Sequence, residues 1–173
     1  MKFYAALASH FFEGARRSDR NSIFAVTIEE ANLLRAMRLA DMDEQWATAQ
    51  SIVQTLGEFY QARGRADEWI ALRTTLLNRV GREISPDADR DQADLWMYLL
   101  GEEAKHDLSR NELEIAEAEY QRILDYLISL NDATVEPKIA AVYHQLGRIA
   151  EEQNDFDQAE QWYRKALEIS ERP

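Results

Sequence analysis

Glu103 and His106 are the residues whose spacing comes nearest to a metal site. Three apart on a helix, they share a face. Helical di-iron sites use two such Glu-x-x-His pairs with two further glutamates. The other histidines, His10 and His144, have Leu7 and Ala141 where that glutamate would stand, so the second pair is missing. His106-Asp107 could serve a serine nucleophile, but no G-x-S-x-G is present to raise a serine on a sharp turn. The doublets Glu29-Glu30, Glu102-Glu103 and Glu151-Glu152 each offer two carboxylates. Adjacent helical residues diverge by about 100°, so neither doublet partner reaches the other's substrate. The absence of cysteine removes thiol nucleophiles, disulfides and Cys-ligated zinc. No G-x-x-x-x-G-K-[ST] is present to cradle nucleotide phosphates. Trp46, Trp69, Trp96 and Trp162 read as packing residues rather than a cofactor cage. The sequence therefore assigns no catalytic residue, no metal and no cofactor.

Composition narrows the partner. The 173 residues carry 20 Lys+Arg against 32 Asp+Glu, a net charge of −12. Phosphate binding needs a clustered cationic face, so nucleic acid and anionic lipid are not expected partners. No apolar run approaches the roughly 20 residues of a membrane span. The start, Met1-Lys2-Phe3-Tyr4, then Ser9, His10 and Glu13, lacks the apolar core of a signal peptide. The expectation is a cytoplasmic, acidic protein.

The elements that position these residues are helices. Only 6 Gly and 3 Pro interrupt the chain. Phe156, Ala159, Tyr163, Ala166, Leu167 and Ser170 recur at helical steps, the pattern of one buried face. No segment alternates as a half-buried strand would. The pattern predicts an all-α chain with helices over about 3–18, 28–41, 44–63, 66–80, 89–106, 110–130, 137–153 and 156–171. Thr27-Ile28-Glu29-Glu30 predicts a capping box at the start of the second helix. Gly64 predicts a left-handed helix end, Ser85-Pro86-Asp87 a break, and Asn154-Asp155 a short turn. Connections this short make neighbours antiparallel, so the helices pair as hairpins.

Leu-Gly recurs at Leu56-Gly57, Leu100-Gly101 and Leu146-Gly147, spaced by 44 and 46 residues. Each glycine falls inside a predicted helix, where it costs about 1 kcal/mol against alanine. A repeated cost of that kind predicts close approach of two helix backbones at each glycine. Downstream of Gly147 stand Ala159, Tyr163 and Ala166, and downstream of Gly101 stand Ala116, Tyr120 and Ile123, with the same steps of 4 and 3. After Gly57 the matching positions are Trp69, Arg73 and Leu76.

Residues 140–173 resemble a tetratricopeptide repeat of 34 residues, with Tyr143, Leu146-Gly147, Ala150, Ala159, Tyr163 and Ala166 at signature positions. Ala150 stands where the signature has an aromatic. Residues about 94–130 and about 50–83 resemble two further units. The resemblance implies a right-handed α-solenoid of about four hairpins in one domain: 3–41, 44–83, 89–130 and 137–173. It implies a concave surface, lined by the first helix of each hairpin, that takes an extended peptide or a partner helix. Carrying repeat positions across gives Gln54, Glu58 and Gln61, then Tyr98, Glu102 and Lys105, then His144, Arg148 and Glu151. Three carboxylates against two cations favour a polar or mildly basic ligand. Some tetratricopeptide domains grip a C-terminal carboxylate with Lys and Asn. Asn is absent from these nine positions, so that mode is not expected.

Glu30-Ala31-Asn32-Leu33-Leu34-Arg35-Ala36, Trp46, Leu56, Phe59-Tyr60, Arg63-Gly64 and Glu68-Trp69 resemble the helical repeat region of bacterial STAND-type signalling ATPases. That resemblance implies a scaffold or sensor in a bacterial signalling protein, or a peptide-sensing regulatory receptor. An enzyme would instead need a closed pocket of convergent titratable groups. Trp162, Leu167 and Ile169 lie where a terminal repeat would be polar. They predict either further chain or self-association through the C-terminal hairpin.

Overall fold

The computed structural model describes residues 2–17 and 19–171. The elements are α1 (Lys2–Arg16), α2 (Arg20–Met42), α3 (Trp46–Ala62), α4 (Ala66–Val80), α5 (Arg90–Ser109), α6 (Leu113–Ser129), α7 (Glu136–Glu152) and α8 (Phe156–Ser170). A short 3-10 turn at Ala133–Val135 leads into α7. Among the described residues there is no strand, so the chain is all-α and its hairpins are tetratricopeptide-like.

The second helix begins earlier than the sequence predicts. Its cap is Asp19, whose carboxylate accepts from the Ser22 N–H at 2.8 Å and from the Ser22 hydroxyl at 2.8 Å. These bonds favour the ionised form and hold the Asp19 carboxyl below its usual range. Thr27 is therefore no cap. It lies inside α2, and its hydroxyl donates back to the Ile23 carbonyl at 2.8 Å. Glu30 is likewise in mid-helix and reaches α3 and α4.

Four helix connections share one turn. Glu44, Gly64, Asn111 and Asn154 have φ of 53°, 66°, 61° and 63°. In each, the next residue's N–H returns to a carbonyl five back: Gln45 to Ala40, Arg65 to Tyr60, Glu112 to Asp107 and Asp155 to Ala150, at 2.7–2.9 Å. This is the Schellman closure, in which a left-handed residue satisfies the last carbonyls of a helix. Gly64 and Asn154 thus act as the sequence predicts. Glu44 adopts the same conformation without the glycine or asparagine that usually marks it.

The described chain divides into two compact units, Met1–Val80 with Asp89–Leu95, and Gly81–Ala88 with Trp96–Pro173. In the first, α3 packs against α1, α2 and α4. Ile52, Val53 and Leu56 on α3 are fully buried. Thr55 is buried among them, and its hydroxyl lies 2.9 Å from the Ala8 carbonyl of α1. Glu30 accepts the Tyr60 hydroxyl at 2.9 Å and the Arg65 guanidinium at 2.8 Å, while Arg65 also meets Glu68 at 2.8 Å. One carboxylate thus ties α2 to α3 and to the start of α4.

In the second unit, α7 packs on α6 and on α8. Leu99, Leu127, Leu146 and Ile149 form its buried centre. At Gly147 an added Cβ would stand 2.6, 2.8 and 2.9 Å from three ring atoms of Tyr163. The glycine makes room for a ring, not for a second backbone. At Gly101 the nearest atom to such a Cβ is Ile123 Cδ1 at 3.9 Å, an ordinary contact. The sequence-based reason for a glycine therefore fails at 101, where alanine fits, and takes a different form at 147. Gly57 is buried within α3.

Candidate interaction surface

The nine predicted positions fall in triplets with steps of 4 and 3, so each triplet shares one helix face. The α3 triplet belongs to the first unit: Gln54 and Glu58 are half-buried and Gln61 is exposed. The other two belong to the second unit. On α5, Tyr98 and Glu102 are half-buried and Lys105 is exposed. On α7, His144, Arg148 and Glu151 are all exposed.

Within the second unit these side chains interact. Lys105 Nζ stands 2.6 Å from Glu102 Oε1. Glu151 Oε2 accepts the Tyr163 hydroxyl at 2.6 Å. Burial, first, and then this carboxylate push the Tyr163 hydroxyl up to about 12, so it stays a donor at neutral pH. The His144 ring meets the Tyr163 ring at 5.4 Å. Arg148 donates to Gln145 at 3.1 Å, a neutral acceptor that leaves its charge uncompensated by that bond.

Tyr120 lies on the buried side of α6. It is 4% exposed, and its hydroxyl has no hydrogen-bond partner among the described residues. Burial raises it to about 12, with Glu102 pushing the same way and Arg148 opposing. Members of both the α5 and α7 triplets thus bear on one buried hydroxyl. Sequence reasoning placed Tyr120 and Tyr163 as packing residues only. The available signal was the carboxylate four residues past Gly147, in reach of a tyrosine sixteen past it.

Glu103, the carboxylate of the Glu-x-x-His pair, is engaged by a cation. Its carboxylate receives the Arg82 guanidinium at 3.1 and 3.3 Å. Among the described residues no group of three or more His, Asp or Glu could hold a metal ion. The buried Glu119, 4% exposed, lies close to Glu103 and Asp107. Burial, first, and then these two carboxylates push Glu119 up to about 8, so it is a neutral acid at pH 7.

Residues 104–172 match the family model described as tetratricopeptide repeat. That stretch carries the tetratricopeptide signature. It runs from the last turns of α5 through α8, and covers the α7 triplet, Tyr120 and Tyr163. No curated protein and no solved structure matches the chain. Tetratricopeptide repeats mediate protein–protein interaction and are typically non-catalytic. No described helix is long and apolar enough to cross a membrane.

Proposed function

We propose that the chain is a protein-interaction module that takes a peptide or a partner helix on the inner faces of its hairpins. The observation that carries this reading is the α7 triplet. His144, Arg148 and Glu151 are exposed, share one face, and lie within the stretch that carries the tetratricopeptide signature. The α5 face, with Tyr98, Glu102 and Lys105, extends the same surface in sequence terms, and Gln54, Glu58 and Gln61 offer the equivalent face in the first unit. Mixed charge supports a polar or mildly basic ligand, with neutral groups of the ligand meeting His144 and Tyr98.

The role that fits is scaffold or sensor in a bacterial signalling protein, in the cytoplasm. Its support is the resemblance of the first half to the repeat region of STAND-type ATPases. Phe156 and Leu167 on α8, 66% and 55% exposed, support a further contact between C-terminal hairpins of two copies. Selection of binders from a random peptide display library against the purified chain tests the reading. Calorimetry should then show the selected peptide losing affinity to Arg148→Glu and Glu151→Lys while the helical circular dichroism is unchanged. Equal affinity for these variants would refute the assignment of this face.

A further inference from the structure

Helix α2, in the first unit, carries none of the nine positions proposed for peptide recognition, yet it is apolar on two sides. Val26, Leu33, Met37 and Ala40 are buried and form its core side. Phe24, Ile28, Leu39 and Met42 are 67%, 62%, 43% and 69% exposed. At about 100° per residue these four fall within about 60° of one another, opposite the core side, so they form one stripe. From Phe24 to Met42 the stripe runs about 27 Å, at about 1.5 Å per residue. Single exposed apolar residues are ordinary, but a contiguous row of large ones marks a surface that something covers.

The same face is cationic. Arg20, Arg35 and Arg38 fall within about 40° of Phe24 around the helix. All three are exposed, and among the described residues no carboxylate pairs with them. The carboxylates of α2 lie at least about 100° away and are engaged. Glu29 accepts from Asn32 at 2.9 Å, Glu30 holds Tyr60 and Arg65, and Asp41 meets Arg79 at 3.5 Å. Asp19, beside Arg20, is held by Ser22. Near Phe24 the stripe opens into a groove of about 550 Å³, lined by Arg20, Ile23, Phe24 and Thr27 and, across from them, Ala62 and Arg63. Two arginines and no carboxylate line it, and Arg63 also lacks a carboxylate partner among the described residues. In a chain of net charge −12, four such arginines around one apolar stripe are a local reversal of sign. Asp43 and Glu44 follow Met42, so the region that favours an anion ends near Leu39.

We propose that this face of α2 docks an acidic amphipathic helix of a partner protein. Apolar side chains of the partner, three and four residues apart, meet Phe24, Ile28 and Leu39, and one of them enters the groove between Phe24 and Arg63. Carboxylates beside that apolar row accept from Arg20, Arg35 and Arg38, whose guanidinium forks match two oxygens. A partner helix of about 18 residues covers the stripe. Charge complementarity selects an acidic partner over a basic one. The surface is separate from the inner faces, whose mixed charge favours a polar or mildly basic ligand, and it does not depend on their assignment.

The probe is a fluorescein-labelled peptide of about 18 residues, with Leu at helical steps of three and four and Glu at the flanking positions. Its counterpart with Lys in place of each Glu is the control. Fluorescence anisotropy with the full chain should show saturable binding of the Glu peptide, with the Lys peptide at least about tenfold weaker. Arg35→Glu combined with Arg38→Glu should weaken the Glu peptide by at least about tenfold, and Phe24→Asp separately by as much. These three side chains are exposed, so helical circular dichroism should be unchanged. Added salt should weaken the Glu peptide, as exposed ion pairs are screened. No saturation at millimolar chain, a Lys peptide that binds as tightly, or parent-like affinity in either variant would overturn the proposal. Sedimentation showing self-association that Phe24→Asp abolishes would give the face to a second copy instead. Flotation with phosphatidylserine vesicles that the same variant abolishes would give it to a bilayer, and either result overturns the proposal.

Discussion

Replacing Gly147 by alanine should destabilise the chain, while the same change at Gly101 should not. At 147 the new Cβ meets three Tyr163 ring atoms at 2.6–2.9 Å, against ordinary carbon contacts of about 3.5–4.0 Å. The ring must retreat by about 1 Å. That movement breaks the Tyr163–Glu151 hydrogen bond at 2.6 Å and the contact with His144. Overpacking of this kind costs about 1–3 kcal/mol. Alanine returns up to about 1 kcal/mol in helix propensity. Tyr163 is only half-buried, so part of the strain relaxes outward. The net expectation is a loss of about 1–2 kcal/mol. At 101 the Cβ meets one methyl at 3.9 Å, so the propensity gain stands nearly alone, at up to about 1 kcal/mol. Urea unfolding followed by circular dichroism measures both. A double-mutant cycle with Tyr163→Ala isolates the contact, because truncating the ring should remove the penalty of Gly147→Ala. A Gly147→Ala chain as stable as the parent, or additive effects in the cycle, would refute the packing argument.

Thr55→Val keeps the shape of a buried side chain but removes the hydroxyl that lies 2.9 Å from the Ala8 carbonyl. It should cost about 1 kcal/mol, and hydrogen exchange should show α1 opening more readily. Glu119 is protonated in the folded chain up to about pH 8, whereas its unperturbed value is 4.5. Between those values the folded state holds a proton that the unfolded state has released, so stability falls as pH rises through the window. Thermal melts across that range should show the fall in the parent and a flatter profile in Glu119→Gln; identical profiles would contradict the assignment. Asn154, at φ 63°, closes α7 in the left-handed region. Asn154→Ala should cost about 1 kcal/mol, Asn154→Gly close to nothing or a small gain, and chemical denaturation distinguishes them.

Much of the architecture was legible because helical periodicity and short turns are local signals. Gly64 and Asn154 announce their turns through the backbone conformation they tolerate. The start of α2 was misread because Thr27 and Glu30 carry the residue types of a capping box while serving other ends. Thr27 bonds to its own helix, and Glu30 bonds across to Tyr60 and Arg65, and only tertiary packing distinguishes these roles. Glu44 escaped notice since glutamate carries no turn signal. The Leu-Gly repeat was visible, but the reason for each glycine depends on which side chain arrives opposite it, and that is set by neighbouring helices. The polar character of His144, Arg148 and Glu151 was readable from spacing. The buried hydroxyl of Tyr120 and the neutral acid of Glu119 were not, because burial of a polar group follows from packing rather than from its own sequence neighbourhood.

Peptide recognition by the inner helix faces is the proposal on which the functional reading rests. Nitrogen-15 NMR of the full chain, titrated with a peptide selected for binding, tests it most directly. The largest shift changes should centre on His144, Arg148 and Glu151, with a second group at Tyr98, Glu102 and Lys105. Changes centred instead on the outer side of α8, around Phe156 and Leu167, would contradict it.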